Sequence, residues 1–306
     1  MKAPAHRKPS RRTQACGPLA LAALAAVWLG GAALPAPAAN AAPPAPAAVA
    51  APPAPAAVAA PDSAPVERQR KALEVLQRAA DYSGGLRAWN AARDVRFRLV
   101  MGTYKDGRVA RPDTTEVSLR LRGKPGFREQ AAAWAIGWDG GMAWFRGGGR
   151  VSVAPRDSAM TRVQAGFVSW WFAAPFCFLD STSECAYLGR IEVEGRPCEV
   201  VQVIDHRSGR PRERCDVTSA YFDPADGRFL GANFTRVDLG ETRPRLATWF
   251  DDWVAVGPLL LPSTQRLYRL TGNMLPDLKA PQVEYRRLDM RLDAGAPDSL
   301  FALPAH

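Results

Sequence analysis

The stretch VRFRLVMGTYKDG, residues 95–107, decides how the rest of the chain is read. Val95, Phe97, Leu99 and Met101 alternate with Arg96 and Arg98, the period of two that a half-buried strand requires. Lys105-Asp106-Gly107 then supplies turn residues. The same grammar recurs downstream. EVSLRLR (116–122) alternates and meets GKPG, 127–136 reads as a third strand, and WDGG (138–141) turns into 142–145. Further strands are expected over 187–193, 199–204, 216–222, 229–237, 247–255, 264–268 and 283–292, with DHRSGR (205–210) and PADG (224–227) as hairpin turns.

Two longer helices punctuate these strands. VERQRKALEVLQRAAD (66–81) places Val66, Leu73, Leu76 and Ala80 on one face, with Asp62 or Ser63 as cap, Pro65 in the first turn and Gly84-Gly85 as the stop. LRAWNAAR (86–93) adds a short helical turn. Residues 157–174 set Met160, Val163, Phe167, Trp170 and Trp171 at helical spacing until Pro175 ends the pattern. About ten short strands mostly joined by turns, with few helices, predict an α+β fold built on one large curved antiparallel sheet.

The N-terminus stands apart. Residues 1–12 carry Lys2, Arg7, Lys8, Arg11 and Arg12, 17–34 are uncharged and apolar, and Ala39-Asn40-Ala41 offers a small-residue cleavage site. Residues 1–41 therefore read as a secretory signal peptide, with an uncleaved inner-membrane anchor as the open alternative. A tandem repeat, APPAPAAVA at 42–50 and 51–59, follows. It makes 42–65 an Ala/Pro-rich disordered spacer, reaching at most about 75 Å in polyproline geometry. No second linker appears, so 66–306 is expected to be one domain, in the periplasm or cell envelope.

Charge and cysteines fit export. The chain carries 40 basic and 30 acidic residues, and loss of 1–41 removes five basics and no acid, leaving a net of +5. That is compatible with contact at an anionic membrane surface and argues against a nucleic-acid partner. Cys177, Cys185, Cys198 and Cys215 remain, an even number suited to two disulfides. The three connectivities stay open, with the short-loop pairs Cys177–Cys185 and Cys198–Cys215 favoured. Paired metal-ligand spacing is missing, so no metal is expected.

Catalytic machinery is not evident either. His206 lies in a charged turn and His306 at the end, no cysteine has an obvious histidine partner, and G-x-S-x-G and H-E-x-x-H do not occur. Gly147-Gly148-Gly149 lacks the Lys-Ser/Thr ending of a phosphate loop. Asp251 and Asp252 are neighbours on an expected strand and point to opposite faces. The arginines of HRSGRPRER (206–214) read as a solvated hairpin tip, or as a holder of lipid phosphate. No catalytic residue and no cofactor is expected.

Aromatic residues are the unusual stock. Eight tryptophans follow the signal, and Trp134 with Trp138, and Trp249 with Trp253, have strand parity that could place each pair on one face. The stretch SWWFAAPFCFLD (169–180) packs two more beside three phenylalanines. It is too short and too broken by Pro175 to span a bilayer, which leaves core or cavity wall. A single curved sheet with few helices closes poorly over so much apolar surface, and the surplus suits an apolar cavity.

The order of DYSGGLRAW (81–89), WDGGMAW (138–144), WWFAAPFCFLD (170–180), YLGRIEVEGRPCEVVQV (187–203), YFDPADGRFLGANF (221–234), DDWVAVGPLLLPST (251–264) and DSLFALP (298–304) resembles the periplasmic lipoprotein-carrier superfamily, the Lol-type carriers and outer-membrane lipoprotein-sorting proteins. The resemblance implies an unclosed half-barrel wrapped around helices, with a cavity for acyl chains. In such a frame Phe167, Trp170, Trp171, Phe172 and Phe176 sit on or beside the helix at the barrel mouth. Phe97, Leu99, Trp134 and Trp144 line the sheet. The implied partner is a lipid or acyl-chain ligand taken up by a monomer. A filled-core envelope scaffold binding a protein partner, or a hydrolase assembled from distant residues, are the other readings.

Overall fold

A computed structural model describes residues 65–206, 215–235, 241 and 243–304. The expected signal peptide, the spacer up to residue 64, the arginines of 207–214 and His306 lie outside the described residues, while Pro65, expected to end the spacer, opens the first helix. Helix α1 (Pro65–Tyr82) leads into α2 (Gly85–Ala91). A first meander follows: β1 (Asp94–Lys105), β2 (Arg108–Arg120), β3 (Gly126–Gln130), β4 (Trp134–Trp138), β5 (Ala143–Gly147) and β6 (Arg150–Ser152). Helix α3 (Pro155–Ala173) and a 3-10 turn (Phe176–Leu179) connect it to a second: β7 (Ser183–Val193), β8 (Arg196–Asp205), β9 (Asp216–Phe222), β10 (Phe229–Phe234), β11 (Leu246–Val256), β12 (Leu259–Leu270) and β13 (Pro276–Leu292).

All thirteen described strands join one antiparallel sheet in the order β6-β5-β4-β3-β2-β1-β13-β12-β11-β10-β9-β8-β7. The last strand returns beside the first, with Leu99 opposite Arg287 and Met101 opposite Tyr285. This leaves β6 and β7 as the two edges of an unclosed sheet. The sequence reading undercounted the strands. The expected strand over 127–136 is two strands, folded back where the Ala131 N–H bonds the Trp134 carbonyl at 2.9 Å. Three alanines at 131–133 carry no Gly, Pro, Asn or Asp signature, so that turn was invisible. The short edge strand β6 was also missed.

Helix α1 forms as expected but turns a different face inward. Ala72, Val75, Leu76, Ala79 and Ala80 are buried, at the i, i+3, i+4, i+7, i+8 spacing of one stripe, while Val66 and Leu73 are exposed. Alanines let the helix lie close to β7 and the 3-10 turn. Arg78 on its flank pairs with Glu199 on β8, whose carboxylate is otherwise buried. After α1, Gly84 takes φ 103°, and a Cβ there would come within 2.4 Å of the Pro258 carbonyl, so both backbone shape and space require glycine.

The inner face of the sheet carries the main core, with Phe97, Leu99, Val117, Phe127, Trp134, Ile136, Val201, Phe229 and Phe250 gathered around α3. A smaller cluster on the outer face joins Val193, Cys198, Val200, Tyr221, Leu230, Trp249 and Tyr268, with Leu275 and Leu278 packed against it. Trp249 and Trp253 therefore do not share a face: Trp253 packs on the main core. Asp252 between them takes φ 53°, a left-handed residue that interrupts the alternation while the β11–β12 register stays continuous.

The disulfide expectation is corrected, because none of the four cysteines is in a disulfide. Register rules out the Cys198–Cys215 pair. Glu199 lies opposite Phe222 and Asp205 opposite Asp216, so the two cysteines sit at opposite ends of the β8–β9 ladder. Cys215 continues that register opposite His206, eight strand positions or about 26 Å from Cys198, against the roughly 7 Å limit between bridged Cα atoms. Cys198 is also buried in the outer cluster and Cys185 in the inner one. Burial pushes the Cys198 thiol up to about 12. Peptide mapping without reductant is expected to find no peptide linking Cys198 to Cys215; such a link would contradict the β8–β9 register.

Candidate functional site

Helix α3 connects β6 to β7, the two sheet edges, and so has to cross the concave face. Its sequence suits this, being apolar on nearly every side from Ala165 to Ala173. Phe172 stacks on Phe97 with ring centroids 5.7 Å apart. Past the helix end, Phe176 stacks on Trp89 at 4.7 Å. Trp171 meets Phe234 at 4.9 Å and Phe250 at 5.9 Å, and Phe167 meets Tyr285 at 5.6 Å.

A polar contact fixes where the helix sits. Gln164 Nε2 donates to one Glu129 carboxylate oxygen at 2.9 Å, and the Thr115 hydroxyl donates to the other at 2.9 Å. Burial pushes the Glu129 pKa up, and the two donated hydrogen bonds offset only part of that rise. Further along the inner face, buried Arg287 donates to Gln265 and to the Pro262 carbonyl, and its Nε has no hydrogen-bond partner. Burial lowers its pKa to about 10.

The packing is not complete. Where α3 faces β8, β9 and β10, a pocket of about 190 Å³ is lined by Gly166, Phe167, Trp170, Trp171, Asp205, Asp216, Thr218, Phe234 and Thr235. The sheet side is set by register: Asp205 is opposite Asp216, and Thr218 is opposite both Val203 and Phe234. Gly166 decides the helix side. A Cβ there would meet nothing within 4 Å, so no close approach demands a glycine. Glycine inside a helix costs about 0.8–1.0 kcal/mol relative to alanine, and here that cost keeps side-chain bulk off the rim.

Of the nine residues expected around a cavity, Phe167, Trp170 and Trp171 line this pocket. Phe97, Leu99, Trp134, Phe172 and Phe176 are packed in the main core. Trp144 is turned to the other side of the sheet, against Gly137, with its indole N–H donating to the Phe301 carbonyl at 3.1 Å. The C-terminal segment covers it there, with Arg120 4.7 Å over the Phe301 ring. Sequence reading missed Gly166, Asp205, Asp216, Thr218, Phe234 and Thr235. An unexplained mid-helix glycine was the one signal available; the others needed the register.

The register also joins groups that looked isolated. Cys215 Sγ lies 3.5 Å from His206 Nδ1, and His206 Nε2 lies 3.4 Å from a Glu184 oxygen, so this cysteine does have a histidine beside it. The 3.5 Å sulfur–nitrogen separation is an ordinary thiol hydrogen bond, but the 3.4 Å His206–Glu184 contact is long and the thiol is buried. Asp251 is spent on Arg266 at 2.8 Å and Asp252 accepts from Thr264 at 2.8 Å, so they form no carboxylate pair. Among the described residues no group of three or more His, Cys, Asp or Glu could hold a metal ion. Nor is any described helix long and apolar enough to cross a membrane.

No protein-family model matches the chain, and no curated protein does. Among solved structures it is similar to a DUF1329 family protein from Desulfovibrio piger, at 10% identity and a TM-score of 0.47 over 76% of this chain and 97% of that one. It is similar also to a LolA superfamily protein from Nitrosomonas europaea, at 12% identity and 0.47 over the same shares. A putative outer membrane lipoprotein-sorting protein domain from Vibrio parahaemolyticus is similar at 14% identity and 0.45, again over 76% and 97%. Likeness at this level carries no inference about ligand or role.

Because the Glu129 pKa is raised in the folded state, its contribution to stability is present at low pH and lost as pH rises through the folded value. Glu129→Gln can keep both hydrogen bonds, its carbonyl accepting from Gln164 and its amide donating to Thr115. It is expected to match or exceed the parent at pH 8 in urea melts and to flatten the pH dependence. Glu129→Ala should cost about 1–3 kcal/mol by leaving Gln164 and Thr115 unpaired.

Proposed function

We propose that the chain is an exported, non-catalytic protein that binds the apolar part of a lipid-like ligand between α3 and the concave sheet, in envelope lipid or lipoprotein handling. One observation carries this reading: a pocket of about 190 Å³ walled by Phe167, Trp170, Trp171 and Phe234 and left open by a helix glycine that packing does not require. Whole-ligand pockets run to roughly 300–1,000 Å³, so this one suits a chain end or a compact head group rather than a whole diacyl lipid. Residues 1–41 act as the export signal, 42–65 as the spacer, and 66–306 as one binding domain. The sequence resemblance to lipoprotein carriers implies the same kind of ligand.

Gly166 provides the cleanest test. Leucine is a good helix former and meets no obstacle at this position, so Gly166→Leu is expected to fold with unchanged or raised Tm while filling the pocket. Dodecanol, a neutral apolar probe, should quench tryptophan emission of the parent, and the variant should bind it at least about tenfold more weakly. Native mass spectrometry of protein from its host should show a bound lipid. A clean mass together with no response to dodecanol would sink the proposal. Trp171→Ala is a poorer test, since truncating a buried Trp costs about 3–5 kcal/mol by itself.

A further inference from the structure

The convex face of the first meander carries charge that the fold does not pair. Register runs one row across four strands there: Arg291 on β13 lies opposite Arg96 on β1, Arg96 opposite Ser118 on β2, and Ser118 opposite Arg128 on β3. Their strand neighbours Phe97, Val117, Phe127 and Leu292 pack into the main core, so this row points outward. Arg146 stands two strands beyond β3, on β5, on the same side as Trp144, over whose ring Arg128 sits at 5.9 Å. Like charges directly opposite each other, as Arg96 and Arg291 are, oppose strand pairing. Nearby Arg98 and Arg120 meet Asp289 and Asp298, each at 2.6 Å, whereas Arg96, Arg128, Arg146 and Arg291 are in no ion pair among the described residues. Glu116 also stands on this face, opposite Arg98 and Gln130.

Neutral acceptors hold two of these guanidinium groups in place. Arg96 Nε donates to the Ser118 hydroxyl at 3.3 Å, and Arg128 donates to the Leu300 carbonyl at 3.1 Å and to Gln130 at 2.7 Å. Burial, and then the charges of Arg146 and Arg96, lower the Arg128 pKa, so these like charges do act on one another. A strand spacing of about 4.8 Å spreads the array over roughly 24 Å from β13 to β5. Between the arginines of β2 to β5 the outward positions are Ser118, Gln130, Ala135 and Gly137, which lack the large aromatic and aliphatic anchors of a protein interface. A lipid surface needs no such anchor: each arginine meets a head-group phosphate, and the separate attractions add. We propose that this convex face docks the domain on an anionic lipid surface through Arg96, Arg128, Arg146 and Arg291. Docking of this kind does not depend on the pocket, which lies on the concave side beside α3 and would face away from the bilayer.

Cosedimentation of the protein purified from its host with phosphatidylcholine vesicles, plain or containing phosphatidylglycerol, tests this. The parent is expected to bind the phosphatidylglycerol vesicles, and added salt should weaken that binding. Arg96→Gln/Arg146→Gln/Arg291→Gln should bind them at least about tenfold more weakly. Its Tm should be unchanged or raised, because the Arg96–Arg291 repulsion is relieved. Arg128 is kept, since it holds the C-terminal segment by the Leu300 carbonyl. Arg68→Gln/Arg87→Gln/Arg269→Gln removes the same charge from exposed positions elsewhere and should bind like the parent. Equal loss in both triple variants reduces the effect to net charge and overturns the proposal, as does a parent indifferent to phosphatidylglycerol. Loss of poly-glutamate binding with vesicle binding kept in the first triple variant assigns the face to an acidic protein, and also overturns it. Arg146→Glu breaks no hydrogen bond among the described residues and should lose about fivefold or more even if the triple variant misfolds; parental affinity there counts against the proposal too. Dodecanol quenching should stay unchanged throughout, which keeps this result separate from that of the pocket.

Discussion

A sheet that pairs its first strand with its last, yet leaves β6 and β7 at opposite edges, forces the connection between those edges to cross the concave face. Helix α3 is that connection, and the interior depends on it. Without the helix the inner rows of Phe, Val and Trp would face water. With it, Phe172 stacks on Phe97, and Trp171 fills the space between Phe234 and Phe250. Helix α1 and the 3-10 turn cover the β7 side.

Apolar contact supplies the bulk of the attraction but does not choose one position for a helix whose second half is apolar on nearly every side. The Gln164–Glu129–Thr115 contact does. Leaving a buried carboxylate unmet costs several kcal/mol, so sliding the helix away from Glu129 carries a penalty that sliding one phenylalanine past another does not. The polar group thus sets register along the helix, and register sets which helix residues face β8–β10. Those residues are Gly166, Phe167, Trp170 and Trp171, where the packing stops short of closing. The cavity is therefore a consequence of the same placement that seals the rest of the core.

Much of this fold could be read from alternation and turn residues, as at Val95–Met101 with Lys105-Asp106-Gly107. Reading failed where the local chemistry was silent. Alanines at 131–133 turn the chain without a turn signature, and Asp252 in a left-handed conformation flips Trp253 away from the face of Trp249. For the site, helical spacing found Phe167, Trp170 and Trp171. It could not find Asp205 and Asp216, eleven positions apart, which become partners only through the β8–β9 ladder. His206 and Cys215 looked unrelated for the same reason.

The sequence by itself determined the α+β class, the antiparallel sheet, the place of the helices and the aromatic wealth of α3, because each is a local periodicity that short-range sterics and hydrophobic burial enforce. Tertiary structure alone decided which aromatics fill the core and which border a pocket. It also decided that Trp144 belongs beneath the C-terminal segment, and that two aspartates face one another inside. Those outcomes depend on strand register and on the path of one helix across the sheet, and both are fixed by contacts between residues far apart in the chain.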